Sequence, residues 1–324
     1  MTTFLLRRLG HGLFVLLAMA LLVFIAVYAI GNPVDLLVDP QADAADRARA
    51  IHALGLDQSL PRQFVAYLGH ALRGDLGNSF VYGTPALSLI MERLPATLEL
   101  AGTALFVAIL AGLPLGLWAG TRQGPIRQII DGLSLLGFSL PTFWSGLLLI
   151  LIFAVTLGWL PPGGRGETHV LYGISLSIFT PDGWRHLILP ASTLALFNTA
   201  LLVRLVTRGT ADGLTQEYAR YAKARGLPPG QVLTGHVLPN ILIPVITVLG
   251  LEFGSTIAFA VVTETLFGWP GMGKLLIDAI GTLDRPVIVA YLLVTTTLFV
   301  TINLGVDLLY MILDPRVRLG NSHG

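Results

Sequence analysis

The chain has 324 residues, of which 54% are hydrophobic and only 12% charged, and its mean hydropathy is +0.74. A soluble globular domain carries about twice that charged fraction. The chain has no cysteine, which excludes a disulfide framework, thiolate chemistry and cysteine-based metal sites. Its formal net charge of +1 leaves no basic surplus to neutralise phosphates and argues against a nucleic-acid partner. The composition therefore predicts an integral membrane protein in contact with lipid.

Six apolar runs are each long enough to cross a hydrocarbon core of about 30 Å as a helix. Prolines in or beside these runs are tolerable, since neighbouring helices can satisfy the freed backbone groups. The first run follows two arginines, but it is too long for a signal peptide and no Ala-x-Ala-like site closes it, so it is interpreted as retained. The predicted spans are Leu9–Ile30, Thr97–Ala119, Leu133–Leu157, Leu187–Val206, Ile241–Val262 and Val287–Leu313.

The distribution of basic residues predicts the orientation. With the N-terminus inside, the two short outer loops hold only Arg165, Arg185, Lys274 and Arg285. The loop from Gly31 to Pro95 carries more arginine, but loops of that length translocate largely regardless of charge. Both termini and the segment 208–239 are therefore predicted to be cytoplasmic. The basic residues of the cytoplasmic segments are Arg7, Arg8, Arg122, Arg127, Arg208, Arg220, Lys223, Arg225, Arg316 and Arg318.

The long outer loop has helical patterns of its own. Asp43–Leu54 has helical character, and Leu60–Leu72 carries apolar residues at helical spacing. Glycines typical of a tight turn follow in Gly74–Gly77. These patterns predict a small helical cap on the outer face. A second amphipathic piece, Met272–Ile280, is too short to span and is expected to be interfacial or re-entrant.

Three catalytic patterns can be considered, and each is incomplete. Gly268–Leu275 nearly spells a phosphate-binding P-loop, but Leu275 stands where the metal-binding Ser or Thr should be, and the topology places it outside. Ser139 follows a glycine two residues earlier, yet no histidine is positioned to activate it, and a turn before Pro141 is the favoured interpretation. The histidines do not cluster with carboxylates as metal ligands would.

Four ionisable residues fall inside the predicted spans: Glu99, Arg204, Glu252 and Asp307. Intramembrane charge is costly and suggests a pathway or an ion pair. All but Glu252 lie near span ends, where the side chain can reach the interface. Glu252 is deeper, and two roles stay open for it: lining a polar passage, or a structural hydrogen bond to another helix. Asn198 is a further candidate for the passage.

The segment Glu217–Pro239 is a charged hairpin, punctuated by glycine and proline, between two apolar segments. Thr215 is predicted to cap a short helix that has an acidic residue in its first turn and basic residues in its last, an order that suits the helix dipole. Gly226 is placed to end this helix, and the prolines that follow open the next turn. Ala219 and Ala222 leave one side with little bulk, which gives another protein's backbone room to approach closely. The alternative is an ordinary solvated loop.

This hairpin resembles the EAA loop of binding-protein-dependent ABC importer permeases. Gly226 and the pair Leu238-Pro239 stand at the family's spacing. The Glu-Ala-Ala itself is degenerate, as in the peptide-importer branch (dipeptides, oligopeptides, nickel and opines), whose motif is matched by Tyr218, Arg220, Ala222, Ala224 and Gly226. More of that branch's pattern occurs in Leu54–Asp57, Gly74–Ser79, Arg93–Leu100, Glu264–Gly273 and Leu313–Arg318.

The resemblance implies an all-α polytopic membrane protein with the type I ABC importer fold: six transmembrane helices, an outer helical cap and a cytoplasmic coupling-helix hairpin. The implied regions are an N-terminal span (1–30), an extracytoplasmic helical loop (31–96), a core permease domain (97–313) containing the hairpin (208–239), and a cytoplasmic tail (314–324). The implied location is the bacterial inner membrane.

The resemblance also implies a division of labour. The chain would pair with a homologous second permease subunit, two cytoplasmic ATPases would bind ATP and magnesium, and an extracytoplasmic binding protein would deliver substrate. The chain itself would hold no cofactor and hydrolyse nothing. Glu264, Trp269, Pro270 and Gly271 would face the binding protein or the outer gate, and Glu252 and Asn198 the translocation path. The residues that would couple to the ATPases are Glu217, Tyr218, Ala219, Arg220, Ala222, Lys223, Arg225, Gly226, Leu238 and Pro239.

Other classes of protein fit the sequence less well. A secondary transporter predicts inverted repeats and paired broken helices with carboxylates near the midplane, and only one deep carboxylate is present. A membrane enzyme lacks a catalytic set, and a purely structural subunit leaves the hairpin unexplained. The branch carries dipeptides and short oligopeptides most often, and these are the expected cargo; glutathione, nickel chelates, opines and sugars stay open as alternatives.

Overall fold

The computed structural model describes residues 2–29, 52 and 58–313. Helices dominate this part of the chain, which confirms the all-α polytopic prediction, and a short antiparallel hairpin pairs His169 with Leu176. By its internal contacts the chain forms two compact units. One comprises residues 1–92 and 278–300, and the other residues 93–277 and 301–324.

The first elements are α1 (Thr2–Ala29), α2 (Leu60–Leu72), α3 (Ala86–Gly120), α4 (Pro125–Ser139) and α5 (Thr142–Leu149), which continues as a π-helix over Ile150–Thr156. Strands β1 (His169–Leu171) and β2 (Ile174–Leu176) precede α6 (Pro181–Gly213) and α7 (Glu217–Ala224). Next come α8 (Pro229–Val232), a π-helical stretch over Leu233–Val237, and α9 (Leu238–Phe267). The last are α10 (Met272–Gly281) and α11 (Arg285–Leu313).

Five of the six predicted spans are single helical runs that are long and apolar enough to cross a membrane. They fall in α1, α3, α6, the run Pro229–Phe267 and α11. Prolines inside α3, α6 and α9 do not interrupt those helices.

The third predicted span, Leu133–Leu157, is wrong as one continuous helix. The chain bends by 104° between α4 and the stretch Thr142–Thr156. The cause is Pro141, which has no N–H for the helix and disfavours helical backbone in Leu140, whose ψ is 128°. Six spans are reached only if this bent pair counts as one.

The first unit holds the predicted helix Leu60–Leu72, which is confirmed with those bounds as α2. Phe64 and Tyr67 of α2 pack on Phe24 of α1, with ring centroids 5.3 and 5.8 Å from that of Phe24. Burial raises the pKa of the Tyr67 hydroxyl to about 12. The predicted helix Asp43–Leu54 lies outside the described residues except for His52.

In the same unit a buried carboxylate ties a loop to the turn before α11. Asp284 accepts hydrogen bonds from the Ser79 hydroxyl and from the backbone N–H groups of Phe80 (3.1 Å) and Val81 (3.3 Å). The Asp284 side chain is buried. Three donors on one carboxylate offset the cost of removing its charge from water.

In the second unit, α3 and α6 approach closely along three glycines spaced four residues apart. Side chains of α6 occupy the space beside Gly112, Gly116 and Gly120. A Cβ on Gly116 would lie 2.7 Å from the Cβ of Val206. Thr207 donates a hydrogen bond of 3.3 Å to the Gly116 carbonyl. Small residues at this spacing let helix backbones approach in lipid, where packing rather than the hydrophobic effect holds helices together.

Glu99 of α3 does not reach out to an interface. Its buried carboxylate pairs with Arg165 at 2.7 Å and accepts backbone hydrogen bonds from Ser177 (2.5 Å) and Ile178 (2.8 Å). Arg165 also donates to the Ser175 carbonyl at 2.6 Å. Of the alternatives that the sequence left open for Glu99, the ion pair is the one observed, because the segment between α5 and α6 folds back over this residue. Each charge has the partner that its burial requires.

Candidate functional site

The short helix α7 lies in the segment that the sequence singled out, and its start differs from the prediction. Gln216 is the N-cap residue and its side chain makes no capping hydrogen bond. The predicted cap by Thr215 is wrong, because its hydroxyl donates instead to the Asp212 carbonyl at 2.7 Å. Asp212 is in the last turn of α6, so Thr215 serves the end of that helix. Glu217 is in the first turn of α7, as expected.

The end of α7 follows the prediction. Gly226 has φ of +79°, in the left-handed region that favours glycine. Its N–H donates to the Lys223 carbonyl at 2.9 Å, and the Leu227 N–H donates to the Ala222 carbonyl at 3.3 Å. This pair of bonds is the Schellman motif, which satisfies carbonyls that a helix end otherwise leaves open.

The small side of α7 faces the chain's own core. Ala219 is 0% exposed and Ala222 is 2% exposed. The interpretation that this side admits another protein's backbone is therefore wrong. The alanines let α7 seat closely on α8 and the π-helical stretch, within a core that α6 and α9 share. The residues of this core, named here the hairpin core, are Leu202, Val206, Ala219, Ala222, Val232, Val237, Ile241, Val245 and Leu249.

A second link joins α7 to α6. The Lys223 ammonium group donates a hydrogen bond of 3.2 Å to the carbonyl of Leu214, which follows directly on α6. A cation at a helix C-terminus is favoured by the dipole and by the free carbonyls there. Lys223 thus has a partner within the chain, and α7 is held to α6 by a polar contact as well as by the hairpin core.

The opposite side of α7 is exposed, polar and aromatic. Glu217 and Arg220 form a loose ion pair at 3.4 Å. The Arg225 guanidinium lies 5.7 Å from the centroid of the Tyr221 ring, which is 66% exposed. Tyr218 is 37% exposed. This side presents tyrosine and arginine side chains, two residue types that are enriched at protein interfaces.

Leu238 and Pro239 begin α9 after the π-helical stretch. Leu238 is half-buried and Pro239 is exposed. Proline in the first helical turn costs nothing, since the N–H that it lacks has no partner within the helix. The pair therefore marks where the return segment of the hairpin becomes a spanning helix.

The residues predicted for the outer gate form a buried cluster. The Glu264 side chain is fully buried, and it accepts hydrogen bonds from the Thr97 hydroxyl (2.6 Å) and from the backbone N–H groups of Gly273 and Lys274 (3.0 Å for Lys274). Because these amides open α10, the carboxylate caps that helix from inside the protein.

This cluster explains why the sequence resembles a P-loop there. Backbone N–H groups at a glycine-rich helix start form an anion site, and the chain's own Glu264 fills it. A Cβ on Gly271 would collide with that carboxylate. Trp269 is also fully buried, and its indole N–H donates to the Ala96 carbonyl at 2.9 Å. Pro270 is half-buried.

The two candidates for a passage are linked by two hydrogen bonds through Thr256. The Asn198 side chain in α6 is 2% exposed and donates to the Thr256 hydroxyl of α9 at 3.1 Å. Thr256 in turn donates to the Glu252 carbonyl at 2.7 Å. Asn198 thus lies in a contact between helices rather than on open surface. The Glu252 side chain is half-buried.

Sequence reasoning missed three contacts that hold this unit together: the Glu99–Arg165 ion pair, the close packing of α3 on α6, and the bond from Lys223 to Leu214. The spacing of the glycines at 112, 116 and 120 could have predicted the close packing of α3 on α6. The two polar contacts join residues 66 and 9 positions apart, and no local pattern marks either pair.

Comparison with known proteins identifies the class. A family model described as the inner membrane component of binding-protein-dependent transport systems matches residues 112–319, and one for the N-terminal part of such components matches residues 1–101. The chain belongs to this family of transport permeases.

Named relatives match almost end to end. The chain is 38% identical to the di/tripeptide transport system permease protein DppB of Pseudomonas aeruginosa, over 98% of this chain and 99% of that protein. It is also 38% identical to the oligopeptide permease AppB of Bacillus subtilis, over 98% and 100%. It is 37% identical to the glutathione permease GsiC of Salmonella paratyphi A, over 98% and 99%.

The fold also has a solved counterpart. An inward-facing structure of the MetNI methionine ABC transporter aligns with 70% of this chain and 96% of the matched chain, with a TM-score of 0.55 and 15% sequence identity. At that identity the likeness shows a shared fold. It supports the type I importer architecture predicted from the sequence.

Proposed function

We propose that this chain is the permease subunit of an ATP-driven importer that carries dipeptides or short oligopeptides. The relatives named for di/tripeptides, oligopeptides and glutathione are 37–38% identical to the chain, so identity alone does not separate these cargoes. Dipeptides and short oligopeptides are preferred because they are the commonest cargo of the branch that the sequence resembles. Glutathione is the second candidate.

The observation that carries the mechanism is the seating of α7 on the hairpin core. Ala219 and Ala222 bury one side of α7 in the core that it shares with α6 and α9, while the other side is exposed. When a partner bound to the exposed side moves, it displaces the ends of two spanning helices together. Packed cores deform little, so this movement passes into the membrane.

The proposed partner on this side is an ATPase subunit. Glu217, Tyr218, Arg220 and Arg225 are the exposed contact residues in this proposal, while Ala219, Ala222, Lys223 and Gly226 shape and hold α7. Leu238 and Pro239 set the point where movement enters α9. The chain binds no nucleotide in this scheme; ATP and magnesium belong to two ATPase subunits.

Membership of the family supports the rest of the proposed assembly. A homologous second permease completes the pathway, and an extracytoplasmic binding protein delivers the peptide. Both termini and the hairpin face the cytoplasm of a bacterial cell, as the arginine distribution favours. The buried cluster of Glu264, Trp269 and Gly271, with Pro270 beside it, supports the outer end of the pathway by bracing α3, α9 and α10.

The test is uptake by intact cells. The gene for this chain is deleted, and entry of a radiolabelled dipeptide is compared with entry in the same cells carrying the gene again. We expect uptake that depends on the gene, is competed by unlabelled dipeptides and tripeptides, and stops when cellular ATP is depleted. Gene-dependent uptake of glutathione, nickel chelate, opine or sugar without uptake of dipeptide would overturn the assignment of peptides as the cargo. Uptake that continues after ATP depletion but stops when the proton gradient is dissipated would overturn the assignment to ATP-driven importers.

A further inference from the structure

A basic cavity lies between α4 and α6, apart from the hairpin and the buried cluster. Its volume is about 300 Å³, and it is lined by Arg127, Asp131, Gly132, Leu135, Arg204 and Arg208. Three guanidinium groups and one carboxylate give it a formal charge of +2. None of these residues contributes to the coupling mechanism above.

The positive charge of the cavity is only partly neutralised within the described chain. Asp131 lies 3.7 Å from Arg127, one turn away on α4. Arg204 and Arg208 are one turn apart on α6, so two like charges face the same space, an arrangement that destabilises a helix. The Arg204 guanidinium lies over the face of Phe138, 5.8 Å from the ring centroid. An oxyanion in the cavity would relieve this repulsion and accept the charge-assisted hydrogen bonds that guanidinium groups donate.

The surface beside the cavity is apolar. Leu135 of α4 lines the cavity and is 54% exposed, and Phe138, one turn further along α4, is 41% exposed. Their spacing places them along one side of the helix. A ligand that combines an oxyanion with long apolar chains satisfies both surfaces at once, whereas a free anion satisfies only the cavity.

We propose that this cavity binds the phosphate of an anionic phospholipid, whose acyl chains lie along the exposed apolar side of α4. Basic pockets between helices near a membrane surface are suited to such headgroups. Arg204 and Arg208 hold the phosphate, and Asp131 limits the affinity by repelling it.

Native mass spectrometry of the full-length chain, purified in detergent, tests this proposal. The protein is mixed with equal amounts of phosphatidylglycerol and phosphatidylcholine of identical acyl chains. The bound lipid is identified from the mass that it adds to the protein. We expect preferential retention of phosphatidylglycerol, about tenfold weaker in a double variant, Arg204→Gln with Arg208→Gln. Asp131→Asn should retain more of this lipid than the native chain, a gain that misfolding cannot produce.

Arg122→Gln is the matched control, since it removes the same charge from a nearby residue that stacks on Trp118 and does not line the cavity. It should leave the lipid preference unchanged. Equal retention of phosphatidylglycerol by the native chain and the double variant would overturn the proposal. Inorganic phosphate that displaces the lipid at equal concentration would overturn the lipid assignment in favour of a free anion.

Discussion

The hydroxyl of Thr97 donates a hydrogen bond of 2.6 Å to the carboxylate of Glu264, 167 residues away in the sequence. The same hydroxyl accepts a bond of 2.9 Å from the Met272 N–H at the start of α10. One side chain of α3 thus joins α9 to α10. In lipid, where backbone and side-chain groups find no water, such satisfied polar contacts give a helix bundle its specific arrangement.

Replacement of Glu264 by alanine should destabilise the protein. The change leaves the Thr97 hydroxyl and two amide donors without their acceptor, and each buried unpaired donor costs about 1–3 kcal/mol. We expect a clear fall in the thermal unfolding temperature in detergent, and a smaller fall for Glu264→Gln, which keeps one acceptor oxygen. Glu217→Ala, at an exposed carboxylate, is the control and should change little. An unchanged unfolding temperature for Glu264→Ala would show that the cluster is not structural.

Replacement of Gly116 by leucine should separate α3 from α6. The new Cβ would lie 2.7 Å from the Cβ of Val206, a distance that real Cβ atoms do not adopt, and 3.0 Å from the Val203 carbonyl oxygen. Overpacking of this kind costs about 1–3 kcal/mol or more. Gly102→Leu, on the same helix with nothing within 4 Å of its Cβ position, is the matched control. Thermal unfolding should fall for the first variant only, and equal effects at both positions would contradict the close packing.

Replacement of Gly226 by valine should spare membrane insertion and abolish energised uptake. A Cβ at Gly226 meets no atom within 4 Å, so the expected cost is the backbone strain at positive φ, about 1–2 kcal/mol. That is too little to unfold the protein and enough to disturb the end of α7. The measurement is retention of the ATPases, together with substrate-stimulated hydrolysis, in the purified assembly.

Gly230→Val supplies the matched control for Gly226, because its Cβ position is equally open and its φ is not positive. It should keep both uptake and stimulated hydrolysis. Normal retention of the ATPases and normal uptake in Gly226→Val would disprove the coupling role of this hairpin.

Labelling of single introduced cysteines should show which loops face outside the cell. The chain has no cysteine of its own, so no native thiol contributes to the labelling. Tyr172→Cys in the β-hairpin turn and Thr282→Cys should react with an impermeant maleimide added to intact cells. Tyr172 is 97% exposed, which makes it a better site than nearby Gly166, where a Cβ would collide with Asp182 and His186. Thr121→Cys and Pro229→Cys should react only after the cells are opened. Labelling of Pro229→Cys from outside would reverse the proposed topology.

Substitution of Glu252 distinguishes the two roles that the sequence left open. If its half-buried carboxylate lines the pathway, as we propose, Glu252→Gln should change peptide uptake while the assembly purifies intact. Asn198→Ala, which removes the bond to Thr256, should lower thermal stability instead. Unchanged uptake and unchanged stability in Glu252→Leu would remove both roles.

The sequence by itself was sufficient to predict the membrane class, five of the six spans, helix α2 and the glycine that ends α7. These features depend on composition, hydrophobic run length and backbone conformation, all of which are local. The resemblance in the hairpin identified the family because its glycine and proline spacing reflects backbone geometry within one short segment.

Only the tertiary structure decided which groups meet. Ala219 and Ala222 were interpreted from the sequence as room for a partner's backbone, whereas their burial in the hairpin core is a contact inside the chain. Glu99 and Glu264 looked like a span-end charge and a gate residue, yet each lies in a buried polar cluster whose partners are distant in sequence. The physical reason is that a buried charge is stable only with its donors in place, and folding alone brings those donors to it.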